Sequence, residues 1–271
     1  MRALSLIAAV ILAAAGPRFD ALAQPADSAG TSGYQPRTLS PAPPKLEVVE
    51  QGKGVSVTQR GRGTLLVVAD TWDFGFVPQD AHVMHRYLLQ NSGDDTLFIE
   101  QVKPTCGCTV ASLEKDRLAP GEKVPVDVTV GTAKYSGLLK KKVHVISSDK
   151  ESSLYVLSFQ AQVGPAPGLE WPEGSSVNFD RIAAGERGSS RLSFVNRGSN
   201  VLHARILEPP PAYLKATISP ESVAPGSTAQ LVLETQSNPP RGTFQGSVTL
   251  ELAGSQTTRL TIPFTGVGVE N

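Results

Sequence analysis

The chain contains two cysteines, Cys106 and Cys108, separated by a single glycine in the stretch KPTCGCTVAS. Two thiols this close can form a local disulfide, or they can bind a soft metal ion such as Cu(I) or Zn(II) through both sulfur atoms. They can also exchange disulfides with another molecule, or remain reduced as small, half-buried apolar side chains. The spacing of the cysteines leaves these four alternatives open.

Backbone geometry bears on the disulfide alternative. On a straight strand, residues two apart have Cα atoms about 6.6–7 Å apart, which is at or beyond the usual range for a disulfide. A bend at Gly107 would shorten that separation. Disulfide exchange usually relies on a Cys-x-x-Cys spacing at the N-terminus of a helix, and the sequence has neither feature.

Further soft or imidazole ligands stand about twenty residues before the cysteines, at His82, Met84 and His85 in AHVMHRY. Together with Cys106 and Cys108 they are the candidate ligands for Cu or Zn. Two histidines do not complete a metal site without suitable geometry. The sequence therefore predicts no firm metal or cofactor site, and metal binding stays an alternative.

The first residues have the pattern of a signal peptide, which we assign to residues 1–23. Arg2 precedes an apolar run from Ala3 to Ala15, and Ala21-Leu22-Ala23 matches a signal peptidase cleavage site before Gln24. The run is shorter than the roughly 20 residues that span a bilayer, and no later segment is apolar enough to do so. We expect export to the periplasm or cell surface, where disulfides form.

Composition narrows the classes of function. Twenty-five basic residues balance twenty-five acidic residues, so no overall charge favours nucleic acid or an acidic membrane. The motifs of serine hydrolases, zinc proteases, P-loop proteins and dinucleotide-binding enzymes are absent from the sequence. We expect a protein that is not an enzyme and that has no catalytic or cofactor-binding residues.

After a Pro-, Ser- and Gly-rich stretch (residues 24–63), expected to be a flexible leader, the chain repeats itself. Phe74 and Phe179, Asn91 and Asn196, and Pro120 and Pro225 each differ by 105 residues. Gly137 matches Gly246 at an offset of 109, which suggests a short insertion. We predict two copies of one domain, at residues 64–164 and 165–271.

Within each copy, apolar residues alternate with polar ones in short runs that are separated by Gly, Pro, Asn and Asp. This period of two predicts half-buried strands, and about seven strands per hundred residues predict an all-β, immunoglobulin-like sandwich. The loops after Asn91 and Asn196 and the two Ala-Pro-Gly turns would use glycine at positive φ. The predicted turn residues are Gly93, Pro120, Gly121, Gly198, Pro225 and Gly226.

The order Phe74-Gly75, Asn91-Ser-Gly93-Asp, Cys106-Gly-Cys108-Thr109, Pro120-Gly121-Glu122 and Gly137 resembles a bacterial secreted family catalogued as domain of unknown function 1573. That family is similar to the Ig-like domains of the Hydin, major sperm protein and PapD superfamily. The resemblance covers roughly residues 70–163. It implies an exported Ig-like fold without an established activity. The second copy has Pro211-Ala-Tyr213 where the first has Cys-Gly-Cys, so nothing tied to the thiols extends to it.

These features favour an exported, non-catalytic binding or structural module that contacts an unidentified protein partner. Sandwiches of this kind commonly bind through exposed sheet edges, where a partner adds a strand. The alternative is a protein that handles copper, zinc or disulfides through Cys106 and Cys108.

The signal peptide leads to a direct test. Protein recovered from the envelope or medium of an exporting bacterium is expected to begin at or near Gln24, as measured by intact mass and N-terminal sequencing. Replacing Ala21 and Ala23 with bulky residues should block cleavage. An exported protein that retains Met1 would contradict the assignment.

Overall fold

Alternating apolar residues form strands along residues 63–270, the part of the chain that the structure, a computed structural model, describes. The strand β3 shows the pattern most plainly, because Val83, Tyr87 and Leu89 are buried while their neighbours are more exposed. The described residues contain strands and turns and no helix, which confirms the predicted all-β class. The predicted signal peptide and nearly all of the leader lie outside these residues.

The first half of the described chain contains nine strands. They are β1 (Leu65–Val67), β2 (Thr71–Val77), β3 (His82–Asn91), β4 (Leu97–Pro104), β5 (Thr109–Leu113), β6 (Arg117–Leu118), β7 (Lys123–Gly131), β8 (Gly137–Ser147) and β9 (Leu154–Val163).

The second half also contains nine. They are β10 (Leu169–Glu170), β11 (Val177–Ala183), β12 (Ser189–Asn196), β13 (Leu202–Glu208), β14 (Leu214–Ser219), β15 (Ser222–Val223), β16 (Thr228–Thr235), β17 (Gly242–Ala253) and β18 (Thr257–Val269).

The two halves repeat one strand order. A four-stranded sheet is ordered β1-β3-β7-β5 in the first half and β10-β12-β16-β14 in the second. The opposite sheet runs β2-β9-β8-β4-β6 in the first half, and β11-β18-β17-β13-β15 is its counterpart. A separate buried apolar cluster lies in each half, around Tyr87 and Phe74 in one and around Phe194 and Phe264 in the other.

The pairing within the last hairpin of each half, β8–β9 and β17–β18, corrects the sequence alignment of Gly137 with Gly246. Gly137 pairs with Val163, and Gly242 pairs with Gly268, so the two hairpins are related by the same offset of 105. Gly137 and Gly242 both begin their strands at positive φ, 75° and 78°. The counterpart of Gly137 is therefore Gly242 rather than Gly246, and no insertion is needed.

The larger sheets of the two halves join into one sheet where β2 pairs in parallel with β18, Leu260 opposite Phe76. Gly75 makes this approach possible, because a Cβ atom there would lie only 2.1 Å from the Arg259 carbonyl oxygen. Gly75 also has a φ of 67°. Both halves belong to one compact unit, and their division into two independently folding domains stays a prediction.

Asn91 and Asn196 hold the loops that follow β3 and β12, and both are fully buried. The Oδ1 atom of Asn91 accepts from the Gly93 N–H at 3.0 Å, and its Nδ2 donates to the carbonyls of Asp95 and Leu118. Asn196 makes the equivalent three bonds in the second half. The expected positive φ at Gly93 and Gly198 is wrong, since neither glycine has one. The asparagine side chains close these loops instead.

The Ala-Pro-Gly turns do use left-handed glycines, since Gly121 has a φ of 77° and Gly226 a φ of 76°. Glu122 supports the first turn, where its carboxylate accepts from the Ala119 N–H at 2.8 Å and from Lys115 Nζ at 2.6 Å. The bond from Lys115, followed by that from Ala119, lowers the pKa of Glu122 below its ordinary value.

The turn at Gly121 yields a second test. Gly121→Val should lower the free energy of unfolding by about 1–2 kcal/mol, because a β-branched residue is strained at that φ while the space around it is open. Gly107→Val is a suitable control, since Gly107 also has open space and no positive φ. Denaturant titration measures both, and an unchanged Gly121→Val curve would contradict the strained-turn account.

Candidate functional site

The Cys106–Cys108 pair lies in the loop where the chain passes from one sheet of the first sandwich to the other. β4 belongs to the large sheet and β5 to the small one, and residues 105–108 connect them. Thr105 anchors the start of the loop, because its N–H and its hydroxyl both donate to the Lys142 carbonyl, at 3.1 and 3.0 Å. The Gly131 N–H donates to the Cys108 carbonyl at 2.8 Å and anchors the end.

The bend between the cysteines brings their Cα atoms to 5.4 Å, and the structure joins the two sulfur atoms. Cys106 and Cys108 are half-buried, and Gly107 between them is exposed with open space around it. The bend at Gly107 thus shortens the separation below that of a straight strand, as a local disulfide requires. The redox state of the exported protein stays a prediction.

Thr109, the residue after the pair, contacts both sulfurs with its hydroxyl. The oxygen lies 3.3 Å from Cys106 Sγ and 3.7 Å from Cys108 Sγ, and Thr109 itself is buried. From the sequence, Thr109 stood out only as part of the Cys106-Gly-Cys108-Thr109 order, with no role of its own. Its position directly after the second cysteine was the available signal for this contact.

The candidate metal ligands do not converge on the cysteines. His85 faces the interior, where its ring stacks on Trp72 with centroids 4.0 Å apart and its Nδ1 lies 2.8 Å from Glu208 Oε1. His82 and Met84 belong to the opposite face of β3. Among the residues that the structure describes, no three His, Cys, Asp or Glu side chains are grouped as a metal site.

His82 comes nearest to the cysteine loop. A Cβ atom placed on Gly131 would lie 3.4 Å from His82 Nε2 and 3.7 Å from the Cys108 carbonyl oxygen, so Gly131 separates the two. This arrangement places an exposed imidazole near the loop, and the neighbouring Cys108 atom is a carbonyl rather than the sulfur.

Met84, another of the candidate ligands, lies at the interface between the two halves. The Met84 N–H donates to Ser247 Oγ at 2.9 Å, and that hydroxyl donates to the Met84 carbonyl at 3.0 Å. Burial raises the pKa of Tyr87, with the negative charge of Glu208 adding to the effect. The Met84 backbone and the His85 side chain therefore make contacts that join the two sandwiches.

Beyond the cysteines, the loop leads directly into β5, an edge strand of the small sheet. Val110, whose side chain is 67% exposed, lies on this edge strand. The corresponding edge strand β14 carries exposed Lys215 at the equivalent position, 105 residues later. Charged residues, lysine above all, protect edge strands from pairing with another chain, so β5 lacks a protection that β14 has.

One family model matches the first half of the described chain. Residues 65–163 match the family model described as "Protein of unknown function (DUF1573)". The match begins at the first residue of β1 and ends at the last residue of β9, so it coincides with the first sandwich and contains the Cys106–Cys108 loop. No protein of curated function matches the chain.

Solved structures resemble the chain only distantly. A protein of unknown function from Porphyromonas gingivalis W83 has 12% identity and a TM-score of 0.32, covering 76% of this chain and 100% of its own. The PapD-like domain 7 of human CEP192 has 18% identity and a TM-score of 0.32, covering 40% and 89%. The periplasmic chaperone SfaE has 13% identity and a TM-score of 0.30, covering 76% and 100%. The fold description therefore depends on the strand pairings above.

Within residues 63–270, no helix is long and apolar enough to cross a membrane.

The state of the cysteines gives a third test. Protein purified without reductant should gain about two hydrogens in mass on reduction, because one disulfide takes up two. Replacing both Cys106 and Cys108 with serine should lower the free energy of unfolding by only about 1–2 kcal/mol, because so small a ring removes little entropy from the unfolded chain.

Zinc and copper uptake measured on the same two proteins completes the comparison. We expect neither protein to bind metal. Stoichiometric metal in the wild type that the double serine variant lacks would replace the disulfide account with the metal-binding alternative.

Proposed function

We propose that the protein is an exported, non-catalytic binding module that contacts another protein in the periplasm or at the cell surface through an open strand edge. The observation that carries the proposal is the edge of β5, where Val110 is exposed at the position that Lys215 occupies in the second half. An unprotected edge strand offers its free N–H and C=O groups to a partner strand.

The free groups of β5 belong to alternate residues. The Gly131 N–H bonds the Cys108 carbonyl, so the backbone groups of residue 108, and by alternation of 110 and 112, point toward β7. Thr109, Ala111 and Leu113 then direct their N–H and C=O groups away from β7, and the Thr109 N–H there already donates to the Cys106 carbonyl at 3.4 Å. A partner strand would find two consecutive pairing positions there, Ala111 and Leu113, with the exposed Val110 available for apolar contact.

The alternative, metal or thiol-redox handling by Cys106 and Cys108, has weaker support. Of its proposed helpers, His85 bonds Glu208 through its ring, and the Met84 backbone is fixed by Ser247 in the interface between the halves. In the binding proposal the cysteine loop has a structural role, because it directs the chain out of the large sheet and into β5.

The proposal predicts a position-specific contact in living cells. A photo-crosslinking amino acid at position 110 should yield one discrete protein adduct after illumination of the exporting bacterium. The same amino acid at position 215 should yield much less, since the proposal places the partner at β5 and not at β14. Mass spectrometry of the adduct identifies the partner.

Val110→Lys supplies the matching loss of function. It copies the edge of the second half, and its exposed position should leave the melting temperature within about 2 °C of the wild type. We expect it to reduce co-purification of the crosslinked partner at least severalfold. Equal adducts at positions 110 and 215, or none at either, would contradict the proposal.

A further inference from the structure

A second open edge lies in the other sheet, on β8 beside the cysteine loop. β4 pairs with β8 only as far as Pro104 opposite Val143, and one more bond joins Thr105 to Lys142. β8 continues to Gly137, paired with β9 on its other side. Residues 137–141 therefore have a neighbouring strand on one side only, within the part of the chain that the structure describes.

The bond between the Thr105 N–H and the Lys142 carbonyl shows which way the backbone N–H and C=O groups of β8 point. The Lys142 carbonyl accepts from Thr105, so the groups of residue 142 point to the side of β4. Alternation directs the N–H and C=O groups of Leu138 and Lys140 to the same side, where β4 no longer runs. Leu139 and Lys141 point to β9, opposite Ala161 and Phe159. Two successive outward residues thus form an unpaired segment.

The surface of this edge is basic. Lys140 and Lys142 are exposed on the outer face of the sheet, and exposed Lys103 lies on the same face opposite His144. No ion pair of the described residues involves these three lysines. Leu138 is 63% exposed. A hollow of about 460 Å³ beside them is lined by Thr71, Thr105, Ser158 and Gln160 together with the lysines of β8.

The equivalent edge of the second half lacks this chemistry. Thr243, Gln245 and Ser247 stand where the first half has Leu138, Lys140 and Lys142, each 105 residues later. Pro210 replaces Thr105 and has no N–H to donate. The basic edge is thus specific to the first half, although both halves have the same strand order.

Charge also decides which strand can pair here. Edge lysines disfavour an uncharged or basic strand, as on β14, and a second copy of this edge would bring two sets of lysines onto one face, which is destabilising. We propose that the β8 edge binds an extended, acidic segment of a partner protein, which adds as a strand along residues 138–142 while its carboxylates contact Lys140 and Lys142. This site is separate from the β5 edge and does not depend on it.

The probe for this site is an acetylated, amidated octapeptide of alternating Glu and Val, compared with one of alternating Lys and Val. With the mature chain at low salt, NMR titration should show amide shifts for the Glu peptide at Thr105 and residues 137–142. The Lys peptide should cause none there. Raising the salt to 0.5 M should weaken binding severalfold, because screening acts on exposed charges.

Two variants separate strand pairing from charge. Lys140→Pro removes an outward N–H without breaking the β8–β9 ladder, and it should weaken binding of the Glu peptide about tenfold or more. Gln245→Pro is the matched control at the equivalent position, and it should bind like the wild type. Lys140→Glu with Lys142→Glu should also weaken binding about tenfold, and it remains informative if the proline variant fails to fold.

Three results would overturn the proposal. They are absence of shifts at residues 137–142 up to millimolar Glu peptide, equal binding of the Lys peptide, and wild-type binding by both the folded Lys140→Pro protein and the double glutamate variant. Each of them leaves the β5 proposal intact, because Val110 lies on the edge of the other sheet and is tested by crosslinking in cells.

Discussion

The bond from the Thr105 N–H to the Lys142 carbonyl marks the point at which the chain must leave one sheet of the first sandwich for the other. β4 ends at this bond, and the five residues 137–141 of β8 extend beyond it without a β4 partner. The loop after β4 leads to β5 at the edge of the small sheet. Two strand edges therefore flank this one loop. The β8 edge lies where the loop begins, and the β5 edge lies where the loop ends. The cysteine pair lies between them, and a covalent link there would fix the direction of the turn.

Asn91 and Asn196, the last residues of β3 and β12, impose a similar constraint on the loops that lead into β4 and β13. A buried side-chain amide that bonds three backbone groups fixes the loop, the end of the strand and the neighbouring β6 or β15 together. Loss of the amide would leave those buried groups without partners, which costs more than the net value of the bonds themselves. This cost gives a physical reason for the two halves to keep equivalent positions 105 residues apart, from Asn91 and Asn196 to the last hairpin, although their surfaces differ.

Local regularities made the strands, the Ala-Pro-Gly turns and the repeat predictable from the sequence. The offset of 105 follows from Phe74, Asn91 and Pro120, whereas the glycines near the last hairpin were misaligned because Gly137 has two plausible partners and strand pairing alone selects Gly242. The join between the halves could not be predicted. It depends on contacts such as that of His85 with Glu208, 123 residues apart, and no periodic pattern reports a pairing at that distance. The same contact directs the His85 ring toward Glu208 rather than toward the cysteines.

The differences between the copies concentrate around the loop between β4 and β5. Cys-Gly-Cys is replaced by Pro211-Ala-Tyr213, where Tyr213 packs on Phe244 and burial raises the pKa of its hydroxyl. On either side, Val110 corresponds to Lys215 and Lys140 to Gln245. A fold that needed Val110 or Lys140 for its stability would have them in both copies, because both have the same strand order and comparable cores. The residues that distinguish the first copy lie at its open edges, where packing does not require them and where a partner strand would meet them.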